Sequence, residues 1–175
     1  AALEDYNQAL RLNPQQEEAH LKRGIIRYEL APYSRDPDQS YKAAMKDFNQ
    51  VLRLNPDNAK AYVKRSIVQY QFVQYSDDPN KAYSKVINDL DQALSLNPQE
   101  AEAYFKRGTV RYEIAQYAGS SNKVYWQAVE DLQQATKLYF EQGDIEEYQK
   151  AQIRLCDVLK DLDKSCDAFL LDSDV

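Results

Sequence analysis

The residues that could carry chemistry are few and widely separated. The chain has one histidine, His20, with no second histidine and no cysteine near it in sequence. A metal centre or a tuned general base wants such partners. Two cysteines, Cys156 and Cys166, fall ten residues apart in what reads as one helix. At 1.5 Å rise per residue that is about 15 Å, too far for a disulfide. Free thiols favour a reducing compartment, and a cytoplasmic location is the expectation. No glycine-rich phosphate loop and no nucleophile elbow occurs. No enzyme, no cofactor and no metal are therefore expected, which leaves the side chains that could form a surface. These are the tyrosines, 14 in all, which could act as stacking platforms, and the lysines.

Composition limits what such a surface could bind. The 175 residues, 20.3 kDa, are 43% hydrophobic and 29% charged, as in an ordinary globular chain. Mean hydropathy is -0.74 with no long apolar run, so no membrane span is expected. Net charge is -6, the wrong sign for a general phosphate-backbone binder, so nucleic acid is not an expected partner. Only 4 Gly and 6 Pro leave little turn material, which favours long helices joined by short loops.

Those helices recur. Leu12-Asn13-Pro14 returns as Leu54-Asn55-Pro56 and Leu96-Asn97-Pro98, a step of 42 residues. Lys22-Arg23, Lys64-Arg65 and Lys106-Arg107 keep the same step, as do Tyr28, Tyr70 and Tyr112, Tyr33, Tyr75 and Tyr117, and Tyr41, Tyr83 and Tyr125. His20 takes the place of Tyr62 and Tyr104, so a packing role is expected for it. Exact recurrence also favours a core role for most of the tyrosines. Each period reads as two helices. Asn13-Pro14 breaks the chain and Glu17-Glu18 suit a helix N-terminus; Asp36-Pro37 and Asp78-Pro79 are N-caps followed by proline at the first helical position, with Ser120-Ser121 in the third unit. Tyr41, Ala44, Met45, Phe48, Val51 and Leu52 then follow the three-four spacing of a helix buried on one side. A helix pair with one apolar face gains burial by stacking on copies of itself.

The run from Ala44 to Pro56 followed by Ala61-Tyr62-Val63-Lys64-Arg65-Ser66 resembles the tetratricopeptide repeat in its common bacterial dialect. Small residues at Ala2, Ala44, Val86 and Ala128, large ones at Tyr6, Phe48, Leu90 and Leu132, and small ones at Ala9, Val51, Ala93 and Ala135 carry that likeness, with Gly24, Ser66 and Gly108 in the first helices. The resemblance implies an all-α solenoid of antiparallel helix pairs in a right-handed superhelix. The usual period is 34 residues; the eight extra lie around Tyr33 to Tyr41 and are assigned as about one extra turn on each helix. Arg23, Arg65 and Arg107 stand where a large apolar residue is usual. Residues 1–11 read as the second helix of a truncated repeat, 12–53, 54–95 and 96–137 as three repeats, 138–162 as the end of the last repeat and a capping helix opened by Gly143-Asp144, and 163–175 as an acidic tail that frays. The chain is thus expected to be cut from a longer array, and its uncapped N-terminal face could self-associate.

The resemblance also implies that a partner polypeptide lies in a concave groove lined by the first helices. On a helical wheel the outward strip carries Glu18, Lys22, Ile25 and Glu29, then Lys60, Lys64, Ile67 and Gln71, then Glu102, Lys106, Thr109 and Glu113, and the resemblance implies that Tyr28, Tyr70 and Tyr112 border the groove. Glu18 and Glu102 stand four residues before Lys22 and Lys106 and can pair with them for about 0.3 kcal/mol each. Lys60 and Lys64 have no such acid, so the middle of the strip suits a carboxylate or an acidic peptide. Leu21, Ile25 and their counterparts do not match the family's carboxylate clamp. Trp126 stands where other units have Lys42 and Ser84, and both exposure and cover by the capping helix are open for it. The leading expectation is a non-catalytic protein-interaction scaffold; the alternative is a structural spacer or self-association segment of a larger protein.

Overall fold

The asparagine of each Asn-Pro break makes the turn itself. In the computed structural model, which describes residues 2–118 and 122–166, the side chains of Asn13, Asn55 and Asn97 accept from the backbone N–H two residues on, at 3.0, 3.1 and 3.1 Å. Helices alternate with these turns: α1 (Ala2–Leu12), α2 (Glu17–Leu30), α3 (Pro37–Leu54), α4 (Ala59–Gln71), α5 (Pro79–Leu96), α6 (Ala101–Ala118), α7 (Asn122–Gln142) and α8 (Ile145–Asp161). The expected caps form. Asp36, Asp78 and Asp144 accept from the N–H three residues on at 2.9, 3.0 and 3.2 Å. The Ser120-Ser121 cap lies outside the described residues, as do residues 167–175 of the tail. No helix among the described residues is long and apolar enough to cross a membrane.

The chain divides into two compact units, Ala1–Leu96 and Asn97–Val175. In the first, α1 to α5 pack in sequence, and α2 also touches α4. Ala44, Phe48 and Val68 form a buried cluster with Leu21, Ile25, Tyr28, Tyr41, Met45 and Phe72 around it. Glu17 at the start of α2 ties the first repeat to the second by accepting from Asn55 and Asn58 at 3.1 and 2.5 Å. In the second unit α7 packs on α6 and α8 covers α7. Leu155, Val158 and Leu159 of α8 close over Tyr112, Ala128, Val129 and Leu132, and Trp126 rests half-buried against this cluster. The capping role read from the sequence is filled by α8.

Two helix ends show how the chain turns. Gly143 has φ +73°, and the Asp144 N–H reaches the Tyr139 carbonyl at 3.0 Å, so α7 stops in a Schellman turn. Asp163 takes the same left-handed place after α8 with φ 54°, and the Lys164 N–H reaches the Leu159 carbonyl at 2.9 Å. This turn corrects the expectation for the cysteines. They do not share a helix: α8 ends at Asp161, the chain reverses, and Cys166 returns to Cys156 as a disulfide with Cα atoms 5.1 Å apart. The argument from free thiols to a reducing compartment loses its ground.

The extra residues also differ from expectation. After α2 and α4 the chain tightens into 3-10 turns, Ala31–Tyr33 and Val73–Tyr75, instead of adding a turn of α-helix; only α6 runs on unbroken. Tyr33 and Tyr75, at the ends of these turns, lie off the buried stripe. They are 88% and 70% exposed, and Tyr117 is 69% exposed, so this set of tyrosines is not core.

The small residue of each first helix lets the second helix approach. A Cβ at Gly108 would stand 2.8 Å from Leu132 Cγ and 3.1 Å from the Ala128 carbonyl oxygen, both fully enclosed. Helix propensity alone favours Gly108→Ala by about 1 kcal/mol, whereas overpacking a filled site costs about 1–3 kcal/mol. The expected net result is destabilisation, read as a lower urea midpoint; a higher midpoint would show that the contact yields.

Candidate functional site

Buried charge sits at the crossing of each helix pair. Asp47, Asp89 and Asp131, on α3, α5 and α7, are 2%, 6% and 3% exposed. Each is gripped two-handed by the arginine of the partner first helix. Arg23 Nη2 and Nε donate to Asp47 Oδ1 and Oδ2 at 2.6 and 3.0 Å. Arg65 does so to Asp89 at 2.6 and 2.7 Å, and Arg107 to Asp131 at 2.6 and 2.9 Å. A further donor one turn on completes each carboxylate: Arg27 at 2.6 Å, Gln69 at 3.0 Å and Arg111 at 2.7 Å. The Asp89 hydrogen bonds hold the Arg65 guanidinium above its ordinary range, against the opposing effect of burial.

The arginines also reach backwards. Arg23 Nη1 donates to Asn7 of α1 at 3.1 Å, and Arg65 Nη1 to Asn49 of α3 at 2.9 Å. Above each fork lies the side chain at the His20 place. Tyr62 and Tyr104 present their rings to Arg65 and Arg107 at 5.4 and 5.5 Å. His20, buried, sets Nδ1 3.2 Å from Asp47 Oδ1 and Nε2 3.0 Å from the Pro14 carbonyl oxygen. Sequence reasoning placed the arginines as departures from the repeat and missed their partners. The signal was present: an Arg and an Asp 24 residues apart in every repeat.

The outward strip is narrower than the helical wheel indicates. Lys22 and Lys60 are exposed, and Lys64, Tyr70, Gln71, Lys106 and Thr109 are half-buried. Glu18 and Lys22 form no ion pair among the described residues. Ile25 packs on the Phe48 cluster, Ile67 is buried, and Tyr28 leans on Tyr41 with ring centres 5.8 Å apart. Thr109 Oγ1 is turned back to the Phe105 carbonyl at 2.9 Å, and Lys106 Nζ lies over the Phe105 ring. Tyr112 corrects the expectation most clearly. It is 6% exposed beneath α8, its hydroxyl donating to Asp161 Oδ2 at 2.9 Å, with the Tyr125 ring and the Arg154 guanidinium beside it. In the first unit the strip that reaches solvent is carried by Lys22 on α2 and by Lys60, Lys64 and Gln71 on α4, two helices in contact.

Residues 1–30, covering α1, the first Asn-Pro turn and α2, match the family described as TPR repeat. Most of the chain also aligns with solved proteins built the same way. The fold is that of the tetratricopeptide repeat. MamA, 18% identical, aligns over 93% of this chain and 90% of its own with a TM-score of 0.55. TTC0263, a thermophilic TPR protein of Thermus thermophilus, is 20% identical and aligns over 92% and 84% with a TM-score of 0.55. The Arabidopsis OM64 TPR domain is 17% identical, over 81% and 98%, at 0.54. No curated protein sequence matches the chain. At these identities the likeness is one of fold, and the tetratricopeptide helix pairs here are the elements that carry the Arg–Asp forks.

Burial, with Asp161 at its hydroxyl, pushes the Tyr112 phenol up from 10.0 to about 12. The raised value means that the fold favours the neutral phenol. That stabilisation is complete below pH 10.0 and is lost as pH rises towards about 12. Tyr112→Phe is expected to remove a late phenolate absorbance step and to flatten the alkaline loss of stability in that window. An unchanged alkaline unfolding curve would show that Tyr112 titrates outside the fold.

Proposed function

We propose that this chain is a non-catalytic interaction scaffold whose first helices hold a partner polypeptide along their outward strip. The observation that carries this reading is how the polar side chains that recur with the repeat are spent. The arginines, aspartates and the residues over them are enclosed in forks that join helices, which is structural work. Lys22 and Lys64 recur with the same repeat, and Lys60 stands one turn before Lys64; all three lie outside the forks, on helices α2 and α4 that touch. The tetratricopeptide fold of the chain supports a scaffold role in general; the lysines give the particular reading, a partner segment bearing carboxylates. Lys60 stands four residues before Lys64, so the two cations share one face of α4. A carboxylate arriving there gains charge-assisted hydrogen bonds.

Reversing the charge tests the site. Capture from a lysate with the wild-type chain is compared with a Lys60→Glu, Lys64→Glu variant of equal helicity and thermal midpoint. The reading expects a specific partner whose affinity falls by about tenfold or more in the variant, through lost attraction and added repulsion. A partner captured equally by both proteins would place its binding elsewhere on the chain.

A further inference from the structure

The tyrosines at 33, 75 and 117 have no packing reason to recur. The other recurring tyrosines are at least half-buried; these three are 88%, 70% and 69% exposed. Among the described residues none of their rings makes a hydrogen bond or a ring contact. A solvent-facing ring gives the helix pair little stability, yet it stands at the same place in three repeats. The place is also rigid. Tyr33 and Tyr75 end 3-10 turns closed by the Ser34 N–H to the Ala31 carbonyl at 3.0 Å and the Ser76 N–H to the Val73 carbonyl at 3.1 Å. The following residues are pinned by the Asp36 and Asp78 caps. A large aromatic held on a fixed backbone is well suited to a contact surface, because it offers area at low entropic cost.

In the first unit the start of α3, just after the Tyr33 turn, lies beside the Tyr75 turn. Tyr41, Asp38 and Arg35 from the first repeat line a pocket of ≈ 540 Å³ together with Gln71, Gln74 and Tyr75 from the second. Residues 33–38 and 75–80 hold four carboxylates, Asp36, Asp38, Asp77 and Asp78, against one cation, Arg35. We propose that this edge is a docking surface for an extended polypeptide segment bearing arginine or lysine. Guanidinium or ammonium groups lie on the Tyr33 and Tyr75 faces while Asp38 and Asp77 answer their charge. The side-chain amides of Gln71 and Gln74 supply donors and acceptors for the main chain of the segment. The charge preference is opposite to that of the lysines on α2 and α4, so the two surfaces take different segments.

The test is fluorescence anisotropy of a labelled alternating Arg-Ser peptide against the full chain, with an alternating Glu-Ser peptide as the opposite probe. The wild-type chain is expected to bind the Arg-Ser peptide and not the Glu-Ser peptide. Tyr33→Ser with Tyr75→Ser is expected to weaken binding about tenfold, while Tyr33→Phe with Tyr75→Phe stays within about twofold. Neither pair changes net charge, so general attraction of an acidic chain for a cation moves neither. Asp38→Asn with Asp77→Asn is expected to weaken binding independently of any effect of the serine pair on folding. Lys60→Glu with Lys64→Glu is expected not to weaken it, which separates failure here from failure of the lysine strip. Arg-Ser binding that is absent in the wild type, unchanged in both the serine and asparagine pairs, or weaker than that of Glu-Ser would overturn the proposal.

Discussion

Everything in this fold is arranged around a carboxylate that has been taken out of water. Burying an aspartate is costly unless its oxygens are met by charge and by well-formed hydrogen bonds. Asp47, Asp89 and Asp131 are met by a two-handed arginine and a third donor. The arginine must come from the facing helix, at close range, and the residue after it makes that range available. Arg23, Arg65 and Arg107 are followed by Gly24, Ser66 and Gly108. A Cβ at Gly24 or Gly108 would stand 3.1 Å from the Cβ of Asp47 or Asp131. The small side chain and the ion pair are therefore one device: the first sets the crossing distance and the second fixes the register at that crossing.

The fork also sets how one repeat meets the one before it. Arg23 and Arg65 each hold the aspartate of their own pair with one side of the guanidinium and an asparagine of the preceding helix with the other. Hydrophobic burial supplies the driving force, but apolar surfaces slide; a planar fork with five directed donors does not. Ion pairs of this kind add less to stability than their geometry implies and more to the choice of a single register. The proposed scaffold role needs that choice, because a slip between helices would misplace every candidate contact side chain at once.

Much of this was legible in the sequence. The 42-residue step, the helix pairs, the aspartate caps at Asp36, Asp78 and Asp144 and the covering helix follow from local signals that act within a turn or two of helix. What escaped depends on contacts between elements or on departures from regular pitch. The forks join residues on different helices, and an arginine at an apolar position reads as a substitution until its partner is seen. Tyr33, Tyr75 and Tyr117 lie outside the buried face whether the chain there is a 3-10 turn or continuous α-helix. The disulfide required a helix stop at Asp163, where an aspartate adopts the left-handed conformation more often given to glycine. Tyr112 passed from surface candidate to core because α8 covers it, whereas Tyr28 and Tyr70 stay half-buried. Of the candidate groove residues, Lys22 and Lys60 lie exposed and Lys64 and Gln71 half-buried, whereas Ile67 and Tyr112 are enclosed.

The central claim is that the Arg–Asp fork, and not apolar packing alone, specifies each crossing. A double-mutant cycle at Arg65 and Asp89 measures it most directly, with Arg65→Ala, Asp89→Ala and the pair compared by urea unfolding. Each single substitution strands a buried partner and is predicted to cost about 3–5 kcal/mol, while the pair costs well below the sum because neither charge is left alone. Two small, additive losses would contradict the account and leave the crossing to hydrophobic packing.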